Sequence, residues 1–542
     1  MKRNKMCPIC YLKSIFKKTY VIPEEKDEFV NNTQKTPLMG WSSWNIFRNH
    51  VDEQCILDIG KAMVDTGLKD CGYNYVNIDD NWQSGERDEN GDIVPDFALF
   101  PHGMKYVADK LNEMGLHLGL YSSNGTNTCE DLPASLHNEK RDAYTYAKFG
   151  AEYLKYDYCH NIKLSIYAPL IYGIEIMNLD TNEKETILCS NAKLDGNAKF
   201  MSDSKVPGGQ YISGLDKGLG KAIFKYNAKT EGKYVVTILV RKFGKKYEKC
   251  LFVKVNDNKS NLLQIPPQKP INVTSRFQTK VEFNVGENEI VLFNPISAKR
   301  NSAKIQYRLM GDALKEASIK LAKETNSEVK PIILGICEWG FNSPWKWGFE
   351  SGNMWRTTPD IRPIWPWIML IYARNVRLYK YASSSHFNDP DSLEVGNGKL
   401  TPNENMSHFV IWCMMSSPLI LGTDLRTIPE NVLKIFKNKD LIAIDQDPLT
   451  KQCKRVSKNN RVDVLVKPLV NDSIAIAFFN RGGKKKFSFD FNTLINDEYI
   501  CSEEISKYTI KNILGEVDAS GSILSGSLDK HASSVIILEK IK

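Results

Sequence analysis

No stretch of about 18 apolar residues occurs in this sequence, so no membrane-spanning helix is expected. Histidine is scarce: eight residues, with no H-x-x-x-H or similar metal signature. There is no G-x-S-x-G elbow, no P-loop, and no G-x-G-x-x-G opening a helix after a strand. These absences set aside serine-elbow, nucleotide-phosphate and dinucleotide chemistry. Twelve cysteines in 542 residues are ordinary usage, not a disulfide scaffold. Cys7-x-x-Cys10 is a lone pair without a second pair at zinc-finger spacing. The formal charge of +8 is a small excess, with lysines scattered rather than clustered among aromatics. No nucleic-acid partner is expected. Met1–Lys18 is basic but lacks a clean apolar core of about 7–15 residues, and no small-residue cleavage site follows it. A cytoplasmic protein is expected, with secretion as the alternative.

What is present has the composition of a soluble globular protein, 42% hydrophobic and 25% charged. The length calls for about two to four units. After a polar, lysine-rich leader (1–35), Leu38–Trp41 reads as a short strand. One unit then repeats. An amphipathic helix ends at a glycine (Gly72, Gly115, Gly150), and an apolar strand and a polar loop follow. The strands are Tyr73–Ile78, Leu116–Tyr121 and the stretch from Ala151 to Asp157. This is a β/α rhythm, implying a parallel sheet with functional loops at the strand C-termini. Residues two apart on a strand share a face, so Lys155 and Asp157 point the same way at a strand end.

The rhythm breaks from about 163 to 303. Segments such as Lys233–Val240 and Lys249–Val255 alternate and are β-branched, and Thr230-Glu-Gly-Lys and Gly286-Glu-Asn-Glu are turn-like. An inserted β-sandwich is expected. The β/α text resumes over 304–447, with strands expected at Pro331–Cys337, Val376–Tyr379, Pro418–Gly422 and Leu441–Ile444. With the first-half strands (36–162) this makes eight, the number that closes a (β/α)8 barrel. Residues 448–542 read as a C-terminal β-sandwich, with Val462–Pro468, Ile474–Asn480 and Ser534–Leu538 as strands.

Acidic residues stand at the predicted strand ends or the loops after them: Asp79, Asp80, Asp157, Glu338, Asp360, and Asp389 with Asp391. Trp41, Trp44, Tyr121, Trp339 and Trp355 accompany them. Carboxylates with aromatic platforms, without a metal or phosphate motif, suit glycoside hydrolysis. One carboxylate attacks the anomeric carbon or activates water, another protonates the leaving oxygen, and sugar faces stack on rings.

At these residues the sequence resembles glycoside hydrolase family 27, the α-galactosidase and α-N-acetylgalactosaminidase family. The matching text includes P-L-M-G-W-S-S-W-N (37–45), N-I-D-D-N-W (77–82), Y-L-K-Y-D-Y-C (153–159), C-E-W-G (337–340), W-R-T-T-P-D-I (355–361) and N-D-P-D-S-L-E-V-G-N-G (388–398). The resemblance implies a retaining mechanism, with Asp157 as nucleophile and Asp360 as general acid/base. It implies that Asp79 and Asp80 bind the 4- and 6-hydroxyls and that Lys155 holds ring hydroxyls. It places Trp44 and Tyr121 in the pocket wall and gives Arg356 and Asp391 sugar contacts. Lys155, about 6–7 Å along the strand, is expected to keep Asp157 ionised. A crowded or less polar site is expected to raise the pKa of Asp360. The two carboxyls of a retaining enzyme lie about 5–5.5 Å apart.

Glu338-Trp339 is the galactosidase form of the loop that selects the 2-substituent, and Asp79 speaks against the arabinopyranosidase branch. The sequence also departs from the family. Asn81 replaces a common cysteine, Cys337 lacks a partner near Gly352, and Ser392 replaces a usual methionine. Cys129 and Cys159 remain where the family forms a disulfide. The insert resembles carbohydrate-binding modules of the family 6 and family 35 type. No cofactor and no metal are expected in the barrel; calcium in the inserted module is an open expectation without a decisive ligand cluster. A purely structural insert is the alternative. The expected function is a retaining exo-α-galactosidase acting on a galactoside oligosaccharide or glycan. The alternatives are a β-L-arabinopyranosidase, an α-N-acetylgalactosaminidase and a non-catalytic glycan-binding protein.

Overall fold

A computed structural model of the chain describes residues 28–31, 33, 35–242, 248–266 and 274–541. Most of the leader, with Met1–Lys18, Cys7 and Cys10, lies outside the described residues. The described chain divides into two compact units, one of 28–162 with 304–541 and the other Lys163–Ala303.

The larger unit is built on an eight-stranded parallel sheet. Its strands are β1 (Met39–Ser42), β2 (Tyr75–Asn77), β3 (His117–Ser123), β4 (Ala151–Asp157), β5 (Ile333–Ile336), β6 (Met354–Arg356), β7 (Phe387–Asp389) and β8 (Leu419–Leu421). β1 to β7 pair in sequence order, and β1 also pairs with β8. The ring closes just beyond β7. There the N–H of Leu393 donates to the carbonyl of Ile420 at 2.7 Å, and Gly422 donates back to Leu393 at 3.0 Å. The result is a (β/α)8 barrel.

Side chains near the strand starts plug the barrel: Leu38, Tyr75, Tyr153, Ile333, Met354, Phe387 and Ile420 form one buried cluster. Gly335 makes room for this plug, since a Cβ there would sit 2.5 Å from the Tyr153 hydroxyl. The plug takes the apolar positions and leaves the strand ends to the charges.

Two strand assignments are corrected. Val376–Tyr381 is a 3-10 turn and Lys439–Asp445 is an α-helix. The barrel instead takes β6 and β7. These strands have three residues each, too few to show a period. Leu441–Ile444 is helical because Asn438 caps it, its side chain accepting from Leu441 N at 3.1 Å. Gly286–Glu289 likewise belongs to a strand, Gly286–Phe293, rather than to a turn.

The C-terminal part packs a five-stranded against a three-stranded antiparallel sheet, and Val464, Phe478, Leu524 and Ile536 share their core. It is tied to the barrel helix Trp365–Asn375 through a buried carboxylate. Asp463 accepts from the Tyr372 hydroxyl at 2.7 Å and pairs with Arg455 at 3.2 Å and Arg481 at 2.8 Å. The unit Lys163–Ala303 is a second sandwich of antiparallel sheets around Ile174, Val236, Leu251 and Ile290.

Removing one partner of a buried ion pair strands the other. Asp463→Ala is therefore expected to lower the stability of the protein by about 3–5 kcal/mol, read from urea unfolding at pH 7. A loss below about 1 kcal/mol would show that the network is solvated and dispensable.

Candidate active site

Alternation along β4 turns Tyr153, Lys155 and Asp157 to the barrel interior, with Tyr153 in the plug and the charges above it. Above the plug lies a pocket lined by Trp44, Asp79, Lys155, Arg356, Asp360 and Asp391, all expected from the sequence. Asn45, Asn77, Cys337, Asp389 and Ser392 also line it.

The charges form two linked sets. The Lys155 ammonium lies 2.7 Å from Asp79 Oδ2 and 4.0 Å from Asp157 Oδ2, and 5.2 Å from the centre of the Tyr121 ring. Arg356 lies 2.7 Å from Asp391 Oδ2 and 3.0 Å from Asp360 Oδ1. Asp391 holds a left-handed backbone (φ 86°). Its N–H donates to Asp389 Oδ1 at 2.8 Å, and its carbonyl accepts from the Trp412 indole at 2.8 Å. Such strain persists only where surrounding bonds over-determine it.

Asp157 is 4% exposed. One of its oxygens and the sulfurs of Cys129 and Cys159 lie within 4.8 Å of one another. Those cysteines are disulfide-bonded, with 5.2 Å between their Cα atoms. Asp80, also buried, fastens the same loop: its carboxylate accepts from Asn81 N at 2.9 Å and Glu130 N at 3.1 Å. Glu338 and Trp339 stand on the loop after β5 and are not among the residues lining this pocket. Glu338 is fully buried and accepts from both the backbone N–H (2.8 Å) and the side-chain amide of Asn342. Trp339 packs edge-on to Phe341 at 5.7 Å. Cys337 is a free thiol in the pocket, and Cys55 and Cys71 are unbonded too.

The electrostatics reverse the sequence expectation for the two central carboxylates. Burial pushes Asp157 up to about 7; Lys155 opposes this and Asp360 adds to it. Lys155 does not keep it ionised, because its ammonium is spent first on Asp79. Desolvation by the pocket walls pushes Asp360 up, but Arg356 and then Lys155 outweigh it and hold the carboxyl below its usual value. Its side chain is 62% exposed, at the mouth of the pocket. Burial also raises Asp80 and Asp389 to about 6 each.

Sequence reasoning missed Asn77 and Glu394. Asn77 is the last residue of β2, and both polar atoms of its buried amide lack a protein partner, which leaves them to a bound hydroxyl. Glu394 is buried with its carboxyl raised to about 7 by desolvation, the hydrogen bond from Asn397 opposing this and Asp391 adding to it. Its place in N-D-P-D-S-L-E-V-G-N-G was the available signal.

A pocket of carboxylates and cations at the C-terminal mouth of a parallel barrel fits the two-carboxylate chemistry of a glycoside hydrolase. The family described as "Alpha galactosidase A" (melibiase) matches residues 36–187 and 311–447, more than half of the chain. The chain belongs to this family. It is 29% identical to alpha-galactosidase A of Cellvibrio japonicus, over 93% of this chain and 92% of that protein. It is 27% identical to an alpha-galactosidase of Cyamopsis tetragonoloba, over 94% and 87%. Among solved structures it shares its fold with an alpha-galactosidase of Saccharomyces cerevisiae in a structure with raffinose, at 22% identity, 93% and 98% coverage and a TM-score of 0.60.

Asp157 carries a linkage. Between the unfolded value, near 3.8, and about 7 the folded state holds a proton that the unfolded state has lost. Folding is therefore favoured less as pH rises through this window. Asp157→Asn removes the titration, so its melting temperature is expected to gain on wild type between pH 4 and pH 8. An unchanged difference across that range would refute the raised value.

Proposed function

We propose that the chain is an exo-acting retaining α-galactosidase. The observation that carries the reading is the set of carboxylates Asp79, Asp157, Asp360 and Asp391 gathered about Lys155 and Arg356 at the ends of the barrel strands. The family relatives named α-galactosidase support the sugar. In this reading Asp157 attacks the anomeric carbon while Asp360 gives its proton to the leaving oxygen, and the bond between them breaks. Asp360 then takes a proton from the water that releases the sugar. Asp79 and Asp80 accept from the 4- and 6-hydroxyls, and Lys155 donates to ring hydroxyls. The family motif assigns Glu338 to the 2-hydroxyl and Trp339 to the space of a 2-acetamido group, although in the free protein Glu338 is held by Asn342 outside the pocket lining. The disulfide beside Asp157 favours an oxidising compartment, and so the secreted alternative over the cytoplasmic expectation. The inserted sandwich is proposed as a glycan-binding module.

In the free pocket burial raises Asp157 to about 7 and Arg356 holds Asp360 below its usual value, the reverse of the arrangement that reacts. Both arrangements hold one proton, so the pH window is that of the pair. Above about 7 no proton remains to donate, and below the lowered value of Asp360 no carboxylate remains to attack.

Hydrolysis of p-nitrophenyl α-galactoside is the test, with the β-L-arabinopyranoside and α-N-acetylgalactosaminide as comparators. Wild type is expected to turn over the galactoside fastest, and Asp157→Asn to lose about 10⁴-fold or more in kcat. Near-normal turnover by that variant would end the assignment. The kcat/KM profile is expected to be bell-shaped with its alkaline limb near pH 7; a limb above pH 9 would contradict the raised value of Asp157.

A further inference from the structure

Glu394 is buried, yet no step above uses it. Each of its oxygens takes one amide donor: Asn45 Nδ2 on Oε1 at 2.9 Å and Asn397 Nδ2 on Oε2 at 2.6 Å. Asn397 is fixed in turn by the carbonyl of Gly422 at 2.9 Å. Gly422 packs on Asn45 itself; a Cβ there would lie 3.1 Å from both Cβ and Nδ2 of Asn45. The amide of Asn45 is therefore held in one sense. Its nitrogen is committed to Glu394, and Oδ1 is left to accept.

Asn45 lines the same pocket as Asp360. Arg48, three residues on and exposed, lies 5.3 Å over the Trp44 ring. Trp44 lines the same pocket, so Arg48 stands at its rim, near enough for its charge to act on both Asp360 and Glu394. A general acid sits beside the oxygen it protonates, so groups flanking it at the mouth face the leaving group rather than the sugar held by Asp79 and Lys155.

We propose that Asn45, oriented by Glu394, and Arg48 form a subsite for the leaving group that selects a polyhydroxylated one, a sugar, over an aromatic alcohol. Asn45 Oδ1 accepts from a hydroxyl of that sugar and the Arg48 guanidinium donates to another. Glu394 acts through Asn45 and is a positioning residue. A glutamine at 394 offers one acceptor and one donor to two amide donors, so one of them is turned away.

The inference rests on the α-galactosidase reading, and the experiment separates the two. Steady-state kcat/KM is measured with melibiose, whose leaving group is glucose, and with p-nitrophenyl α-galactoside. The proteins are wild type, Asn45→Ala, Arg48→Ala and Glu394→Gln. The ratio of the two kcat/KM values is expected to fall about tenfold in Asn45→Ala, the loss of one hydrogen bond. A fall in the same direction is expected in Arg48→Ala and Glu394→Gln. Equal losses on both substrates in Asn45→Ala and Arg48→Ala would overturn the subsite; Arg48 is exposed, so that variant reports even if Glu394→Gln does not fold. A wild type that cleaves neither substrate would overturn the galactosidase reading instead.

Discussion

The pocket is governed by a shortage of positive charge. Asp79, Asp360, Asp389 and Asp391 line one barrel mouth, with Asp157 buried 4.0 Å from Lys155, and Lys155 and Arg356 are set among them. Each cation is spent first on a carboxylate other than Asp157 and Asp360, Lys155 on Asp79 and Arg356 on Asp391. What remains is divided unequally. Arg356 still reaches Asp360, while Asp157 is left buried at the edge of the Lys155 field. An uncompensated buried carboxylate protonates rather than persist as an ion. The opposite shifts of Asp157 and Asp360 thus follow from where two cations point, and those directions follow from strand ends fixed by barrel pairing. The disulfide and the Asp80–Glu130 hydrogen bond hold the loop packed on the same carboxylate, so little of this geometry is free to relax.

The barrel was readable where its strands alternate over many residues or, as at β2 and β8, sit in an apolar run. Tyr153, Lys155 and Asp157 alternate within seven residues, and that period announces both the plug and the charge. Met354–Arg356 and Phe387–Asp389 have three residues each; their identity as strands comes from neighbours on either side, which a local pattern does not contain. The apolar run Leu441–Ile444 reads as a strand until the Asn438 cap is weighed. Among the site residues, the motif text located Asp79, Asp157, Arg356, Asp360 and Asp391, all now at one mouth. Their protonation was not legible, because it depends on distances of 2.7 against 4.0 Å from one ammonium. Asn45 and Glu394 were quoted within motifs but given no task. Their pairing joins residues 349 apart, and only the closed ring brings them together.

The insert at Lys163–Ala303 follows β4 directly, and this has a consequence in time rather than in space. On a ribosome β1 to β4, neighbours in the finished sheet, emerge first. The far edge of β4, which in the finished barrel meets Ile333–Ile336, then waits while the insert is made. At about 5–20 residues per second the delay is roughly 10–30 s. Through it the newborn half-barrel shows an open parallel edge and a half-assembled plug, the kind of surface that recruits other chains. The larger unit can close only after residue 421 has appeared. For this protein the hazard of synthesis is concentrated in that interval, on the strand that carries Asp157.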